Sequence, residues 1–195
     1  MANRTIRVYL RRNKLGGERL RVCWVTTGAA QTIKFSAAPV LDLVRQYRIA
    51  GRYFAAATVE VLNKPAAPGV GLGVGVWDAK RRKVVAGFLA QPPEPGATDL
   101  LYTDSRPGVT DLELTSGGAV AWIVSGRPNN DGYFSIQKAD GTAPGKVVLD
   151  EGPTIDPDSL AIGGNRIYWV NAGQPRSAIL HGRAHFPLIP FAMPR

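Results

Sequence analysis

Residues able to do chemistry are sparse in this chain, and their spacing tests each candidate in turn. Only two histidines occur, His181 and His185, four apart in LHGRAHFP. Such a pair binds zinc when both rings share a helix face and a third ligand approaches. Gly182 between them and Pro187 beyond argue against a helix, so a polar tail is expected and no metal site. Carboxylates gather at Asp150-Glu151 and at Asp156-Pro157-Asp158. They could chelate calcium or act as a paired acid and base, and Asp156 and Asp158 are the candidate catalytic residues of a hydrolase or lyase. Asp and Pro also build turns, and these residues flank a junction between strand units, so turn chemistry is the leading expectation. Asn129-Asn130-Asp131-Gly132 echoes a calcium loop but lacks its first aspartate and closing glutamate. A hairpin turn before Tyr133 accounts for it. Ser125 lies outside the G-x-S-x-G nucleophile pattern, and the repeats offer it no histidine partner. The lone Cys23, in Val22-Cys23-Trp24, has no second thiol and no basic cluster to activate it, and reads as a small half-buried side chain. No cofactor is expected.

Basic residues are the more numerous resource. The net charge is +9, and residues 1–60 hold eleven Lys and Arg against three Asp and Glu. An anionic surface or a nucleic acid is one partner such a third would suit, through Arg7, Arg11, Arg12, Lys14, Arg19 and Arg21. The spacing also fits a plainer role. Ile6, Val8 and Leu10 alternate with Arg7, Tyr9 and Arg11, while Leu20, Val22 and Trp24 alternate with Arg19, Arg21 and Cys23. Period-two alternation puts arginine on the solvated side of a strand, where charge resists edge-to-edge aggregation.

The elements that must position these residues are strands. Glycine (22) and proline (15) are frequent, which suits short strands and turns better than long helices. DLELTSGGAVAWIVSG, from Asp111, holds two apolar runs joined at Gly117-Gly118. Tyr133–Lys138, the turn Ala139-Asp140-Gly141 and Lys146–Leu149 add two more strands. DSLAIGGNRIYWVNAG, from Asp158, repeats the design and is followed by Arg176–Leu180. Leu112 and Leu114 match Leu160 and Ile162, Gly117-Gly118 matches Gly163-Gly164, and Trp122 matches Trp169, 47 residues on. A repeat of that period built from short strands is a blade-like array. Weaker copies lie upstream, in Gln46–Ala57 and Ile6–Trp24, giving four units at about 4–40, 41–105, 106–154 and 155–186 within one domain. Trp24, Trp122 and Trp169 are expected between neighbouring sheets, with a sugar-stacking platform as the sharper alternative. Gly69–Trp77, GVGLGVGVW, alternates glycine with Val70, Leu72, Val74 and Val76, so one strand face is bare backbone. It meets the dinucleotide-binding G-x-G-x-x-G spacing at no register. Asn63–Pro68 and Gln91–Ala97 read as surface loops, and 187–195 as an apolar proline-rich tail lying along the domain.

Val76-Trp77-Asp78-Ala79-Lys80 resembles the third strand of a WD-repeat blade, with Arg81–Val85 following as the fourth. The wider pattern of strand, Gly-Gly turn, aromatic strand and Asp-Gly hairpin is similar to TolB-like bacterial β-propellers over roughly 40–186. The resemblance implies a fold and a habit of binding partners, and assigns no functional residue. Propellers of that kind usually have six or more blades, so four units imply a small, partial or half propeller, and a homodimer of halves is one way to complete it. A β-sandwich is the alternative fold. No apolar run reaches the ~18 residues of a membrane span, and the N-terminal MANRTIRVYLRRNK carries no secretory signal, which leaves localisation open. The expected function is a non-enzymatic module presenting loops to a protein or glycan. The alternatives are the acidic hydrolase or lyase and the anion or nucleic-acid binder.

Overall fold

The computed structural model describes residues 4–12, 18–28, 30–32, 43–64, 67–91, 108–127 and 130–184. They form an all-β fold of four antiparallel sheets, each a meander in chain order. The first sheet holds β1 (Ile6–Arg12), β2 (Glu18–Trp24) and β3 (Ala30–Thr32). The second holds β4 (Leu43–Ala50), β5 (Tyr53–Lys64), β6 (Ala67–Asp78) and β7 (Lys83–Gln91). The third holds β8 (Val109–Leu114), β9 (Val120–Arg127), β10 (Asn130–Ala139) and β11 (Val147–Gly152). The fourth holds β12 (Ala161–Gly163), β13 (Arg166–Asn171) and β14 (Gln174–Ile179). Four sheets replace the two of a sandwich.

Alternation makes both faces of the middle sheets apolar, and each buries one face against the sheet before it and the other against the sheet after it. Ile6, Val8 and Val22 of the first sheet pack on Phe54, Ala56 and Trp77 of the second. The opposite face of the second, with Ala55, Val74, Val76 and Phe88, meets Leu112, Val120 and Trp122 of the third. Ala121, Ile123 and Ile136, on the far side of the third, meet Ile167 and Trp169 of the fourth. Phe88 and Trp122 anchor the middle junction, with ring centroids 5.2 Å apart. Leading strands also meet directly. Arg48 of β4 reaches across to Asp111 and Glu113 of β8, at 3.2 Å each, and Thr110 of β8 donates to the Pro157 carbonyl ahead of β12.

The Gly-Gly match between units is a backbone requirement. Gly118 and Gly164, the second glycine of each pair, have φ of +89° and +65°, and Gly51 sits at +54° in the corresponding hairpin of the second sheet. Only glycine adopts that region without steric cost. Gly118 has a further reason, since an added Cβ would lie 3.0 Å from the Tyr53 ring.

Three expectations need correction. Asn63 and Lys64 continue β5 and pair with Pro68 and Ala67 of β6, so these four lie in strands rather than in a loop over Asn63–Pro68; of Gln91–Ala97 only Gln91 lies within the described residues, and it ends β7. Arg81 and Arg82 lie in the β6–β7 turn, and the fourth strand starts at Lys83. Asn130–Gly132 belong to β10, where the register with β9 shifts between Asn130 and Phe134. The alternating glycines are indeed a strand: Leu72, Val74 and Val76 of β6 face the third sheet, while Trp77 faces the first.

Candidate functional site

The three aromatic residues matched by sequence play unequal parts. Trp122 lies opposite Leu112 and is fully buried, facing the second sheet. Trp169 is buried against the third sheet, and its indole N–H donates to Asp150 at 2.8 Å. Trp24 ends β2 opposite Ile6 and faces the following sheet, not the preceding one. It is only half-buried. It packs between the first and second sheets as expected, with part of its ring left open as a wall.

That wall belongs to a half-open cleft of about 460 Å³ between the first two sheets. Val22, Trp24 and Thr27 line one side, and Trp77, Ala79, Lys80 and Arg82 the other. Trp77 is nearly buried and forms the floor. Lys80 and Arg82 are exposed at the rim. Among its described lining residues the cleft carries two cations and no carboxylate, beside two indoles.

Asp78 sets the rim in place. It is fully buried at the end of β6, and its Oδ1 accepts from the Arg81 backbone N–H at 3.1 Å, a side-chain cap on the turn. Its Oδ2 lies 3.2 Å from the Arg52 guanidinium and 3.7 Å from that of Arg81. Arg52 is itself fixed by a 2.8 Å bond to the Tyr53 hydroxyl and by the Tyr53 ring, 5.0 Å from its guanidinium carbon. The Arg52 carbonyl accepts from the Ala79 N–H at 3.0 Å, closing the two turns together. Arg82 has φ +56°, a left-handed conformation that costs a non-glycine residue about 1–2 kcal/mol. The Trp-Asp pair therefore has a division of labour: Trp77 floors the cleft, and Asp78 holds the basic turn beside it.

The residues singled out from sequence are spread over other places. Asp156 is exposed; its carboxylate caps the Asp158 N–H at 3.1 Å, and its carbonyl accepts from Ser159 Oγ at 2.8 Å, so it is consumed by a turn. Asp158 is exposed beside Asp111, whose carboxyl is raised above its usual range by burial first, with Asp158 adding to the effect against Arg48. Burial likewise raises Glu113 despite its Arg48 partner. These carboxylates surround a satisfied guanidinium. Asp150 and Glu151 lie in β11 and not in a turn, which corrects that reading. The Asp150 carboxylate takes hydrogen bonds from Trp169, Asn171 and its neighbour's N–H, and Arg176 adds charge; these outweigh its partial burial and lower its pKa. It staples the fourth sheet to the third. His181 is exposed in a non-helical segment, and His185 lies outside the described residues. Among the described residues no group of three or more His, Cys, Asp and Glu could hold a metal ion. Cys23 is half-buried, as its surroundings suggested.

Of the basic candidates, Arg7 is exposed and Arg21 half-buried on the first sheet. Arg11, Arg12 and Arg19 are placed by backbone register alone, and Lys14 lies outside the described residues. Sequence reasoning passed over Lys80 and Arg82 as a strand. The signal was the run Lys80-Arg81-Arg82-Lys83 directly after a Trp-Asp pair, four cations where a hairpin must turn.

No family model matches the sequence, and no curated protein matches it significantly. No helix among the described residues is long and apolar enough to cross a membrane.

Proposed function

We propose that the protein is a non-enzymatic, propeller-like binding module that takes an acidic sugar chain in the cleft between its first two sheets. The observation that carries this reading is the meeting of Trp24, Trp77, Lys80 and Arg82 in one cavity, with no carboxylate among its described lining residues. A pyranose offers an apolar C–H face that packs on an indole, and a uronate or sulfate group offers an anion to the rim. Thr27 supplies a hydroxyl at the same wall. The volume of 460 Å³ falls within the ~300–1,000 Å³ of small-ligand sites, enough for one or two sugar units. The propeller part of the reading rests on four consecutive meanders, each packed face to face on the next.

The test is a titration of oligouronates against neutral oligosaccharides of equal length, followed by tryptophan fluorescence, because two of the four tryptophans line the cleft. Acidic chains should bind at least tenfold more tightly. The double variant Lys80→Ala/Arg82→Gly should erase that preference while retaining the fold, since glycine accepts the left-handed backbone at 82. Equal affinity for neutral and acidic sugars, or an unchanged preference in the double variant, would refute the reading.

A further inference from the structure

The first sheet has a second face, turned away from the cleft. Ile6, Val8 and Val22 point into the core, so Arg7, Tyr9, Arg21 and Cys23 stand on the outside. The pairing sets Tyr9 opposite Arg21 and Arg7 opposite Cys23, and continues outward to Arg11 opposite Arg19. Directly opposed residues lie ~5 Å apart and same-face neighbours along a strand ~7 Å apart, so Tyr9 has a cation across from it and another beside it. The one acidic residue of these two strands, Glu18, pairs with Arg12 in the alternate row.

Tyr9 is 42% exposed, a large aromatic ring left in solvent. Arg7 is exposed. Arg21 is anchored, since its Nη2 donates to the Ala30 carbonyl at 3.2 Å, and its Nε is buried without a hydrogen-bond partner among the described residues. A cation pinned in place loses little entropy when an anion arrives. Another sheet of this chain suits the face poorly. The uncovered side of the fourth sheet carries Tyr168, 44% exposed, in the same row as Arg166, so stacking the two would oppose like charges. A polyanion meets no such penalty.

We propose that this face binds single-stranded nucleic acid, with the arginines on successive phosphates and a base stacked on Tyr9. A π-face flanked by cations on an open strand pair is the arrangement by which sequence-tolerant binders hold unpaired bases. A sulfated glycan meets the same cations and can pack a sugar face on the ring, so dextran sulfate is the competitor the test must include. The site lies on the opposite side of the sheet from the sugar cleft and stands or falls independently of it.

The experiment is fluorescence anisotropy of a labelled 15-nucleotide oligo-dT or oligo-U titrated with the full chain over a range of KCl. Each phosphate neutralised contributes about −0.7 to the slope of log K against log salt. Arg7 and Arg21 alone give about −1.4, and a slope near −2.8 would add the Arg11 and Arg19 positions. Arg7→Ala should flatten the slope by about 0.7. Tyr9→Ala should weaken binding roughly 5- to 150-fold with the slope unchanged, and Tyr9→Phe should keep most of the affinity. Tyr9 and Arg7 are exposed, so these variants should fold, which circular dichroism checks. The proposal is overturned if the single strand fails to bind in 50 mM salt, if Tyr9→Ala binds like the parent, or if duplex DNA or dextran sulfate binds as tightly as the single strand.

Discussion

Asp140 offers the sharpest test of what ties the sheets together. It lies at the β10–β11 turn, 2% exposed, and its carboxylate takes the Lys138 ammonium at 2.7 Å, the Thr142 N–H at 2.9 Å and hydroxyl at 2.5 Å, and the His181 N–H at 3.0 Å. The last bond holds the segment leaving the fourth sheet onto the third, beside a Gly141 N–H bonded to the His181 carbonyl. Burial alone would raise this pKa; the hydrogen bonds from Lys138, Thr142 and His181 outweigh it and hold the group at about 2, against an ordinary 3.8. At ~1.4 kcal/mol per unit, that difference is worth about 2 kcal/mol of stability near neutrality. The folded pKa is the lower one, so the contribution is complete above pH ~4 and is lost as the pH falls toward 2. Asp140→Asn goes further, because it leaves the nearly buried Lys138 without its counter-charge; breaking such a pair costs about 3–5 kcal/mol. Lys138→Met/Asp140→Asn removes the stranded charge and should recover roughly half of that loss. Urea denaturation of the three proteins at pH 7 measures the costs, and repeating it from pH 5 to 2 should narrow the gap between parent and Asp140→Asn. A loss below about 1 kcal/mol at pH 7, or a gap that stays constant in acid, would refute the argument.

Other expectations follow from single positions. Gly118→Ala combines a left-handed φ with a 3.0 Å approach to Tyr53 and should cost about 2–4 kcal/mol in urea midpoint analysis, whereas Gly164→Ala, with open space around it, should cost only about 1. Ala172 and Gly173 form a two-residue hairpin between paired Asn171 and Gln174, with φ of +52° and +72°. Ala172→Gly or Ala172→Asn suits that turn and should stabilise the protein by about 0.5–1 kcal/mol, read as a rise in Tm. Two of the buried tryptophans differ in one bond: Trp169 donates to Asp150, while the Trp122 indole nitrogen has no partner among the described residues. Beyond the shared loss of ring volume, Trp169→Phe should therefore cost about 1–3 kcal/mol more than Trp122→Phe, measured by denaturation of each.

Much of the fold was legible because its signals are local. Alternation at Ile6–Arg11 and Leu20–Trp24, the paired glycines at 117–118 and 163–164, and the Asp140-Gly141 turn are each written within about ten residues. Backbone sterics and strand periodicity act at that range, so sequence alone marked out strands, turns and four sheet-sized units. The direction each sheet turns its aromatic residues was not legible. Trp24, Trp122 and Trp169 sit in similar strings, yet Trp24 faces the next sheet and the others the previous one. A one-residue difference in register reverses a side chain, and only the pairing decides it.

Polar chemistry was least legible for the same reason. Asp150 and Asp140 looked like turn residues, and the fold made both into inter-sheet staples through Trp169 and His181. Arg48 found its carboxylates more than sixty residues away. The cleft joins residues 22–27 to residues 77–82. Sequence determined that strands would form and where they would turn, because those choices cost or gain free energy within a few residues. Tertiary structure decided which charges meet and which aromatic face stays open, because those depend on distances between segments that only sheet packing sets.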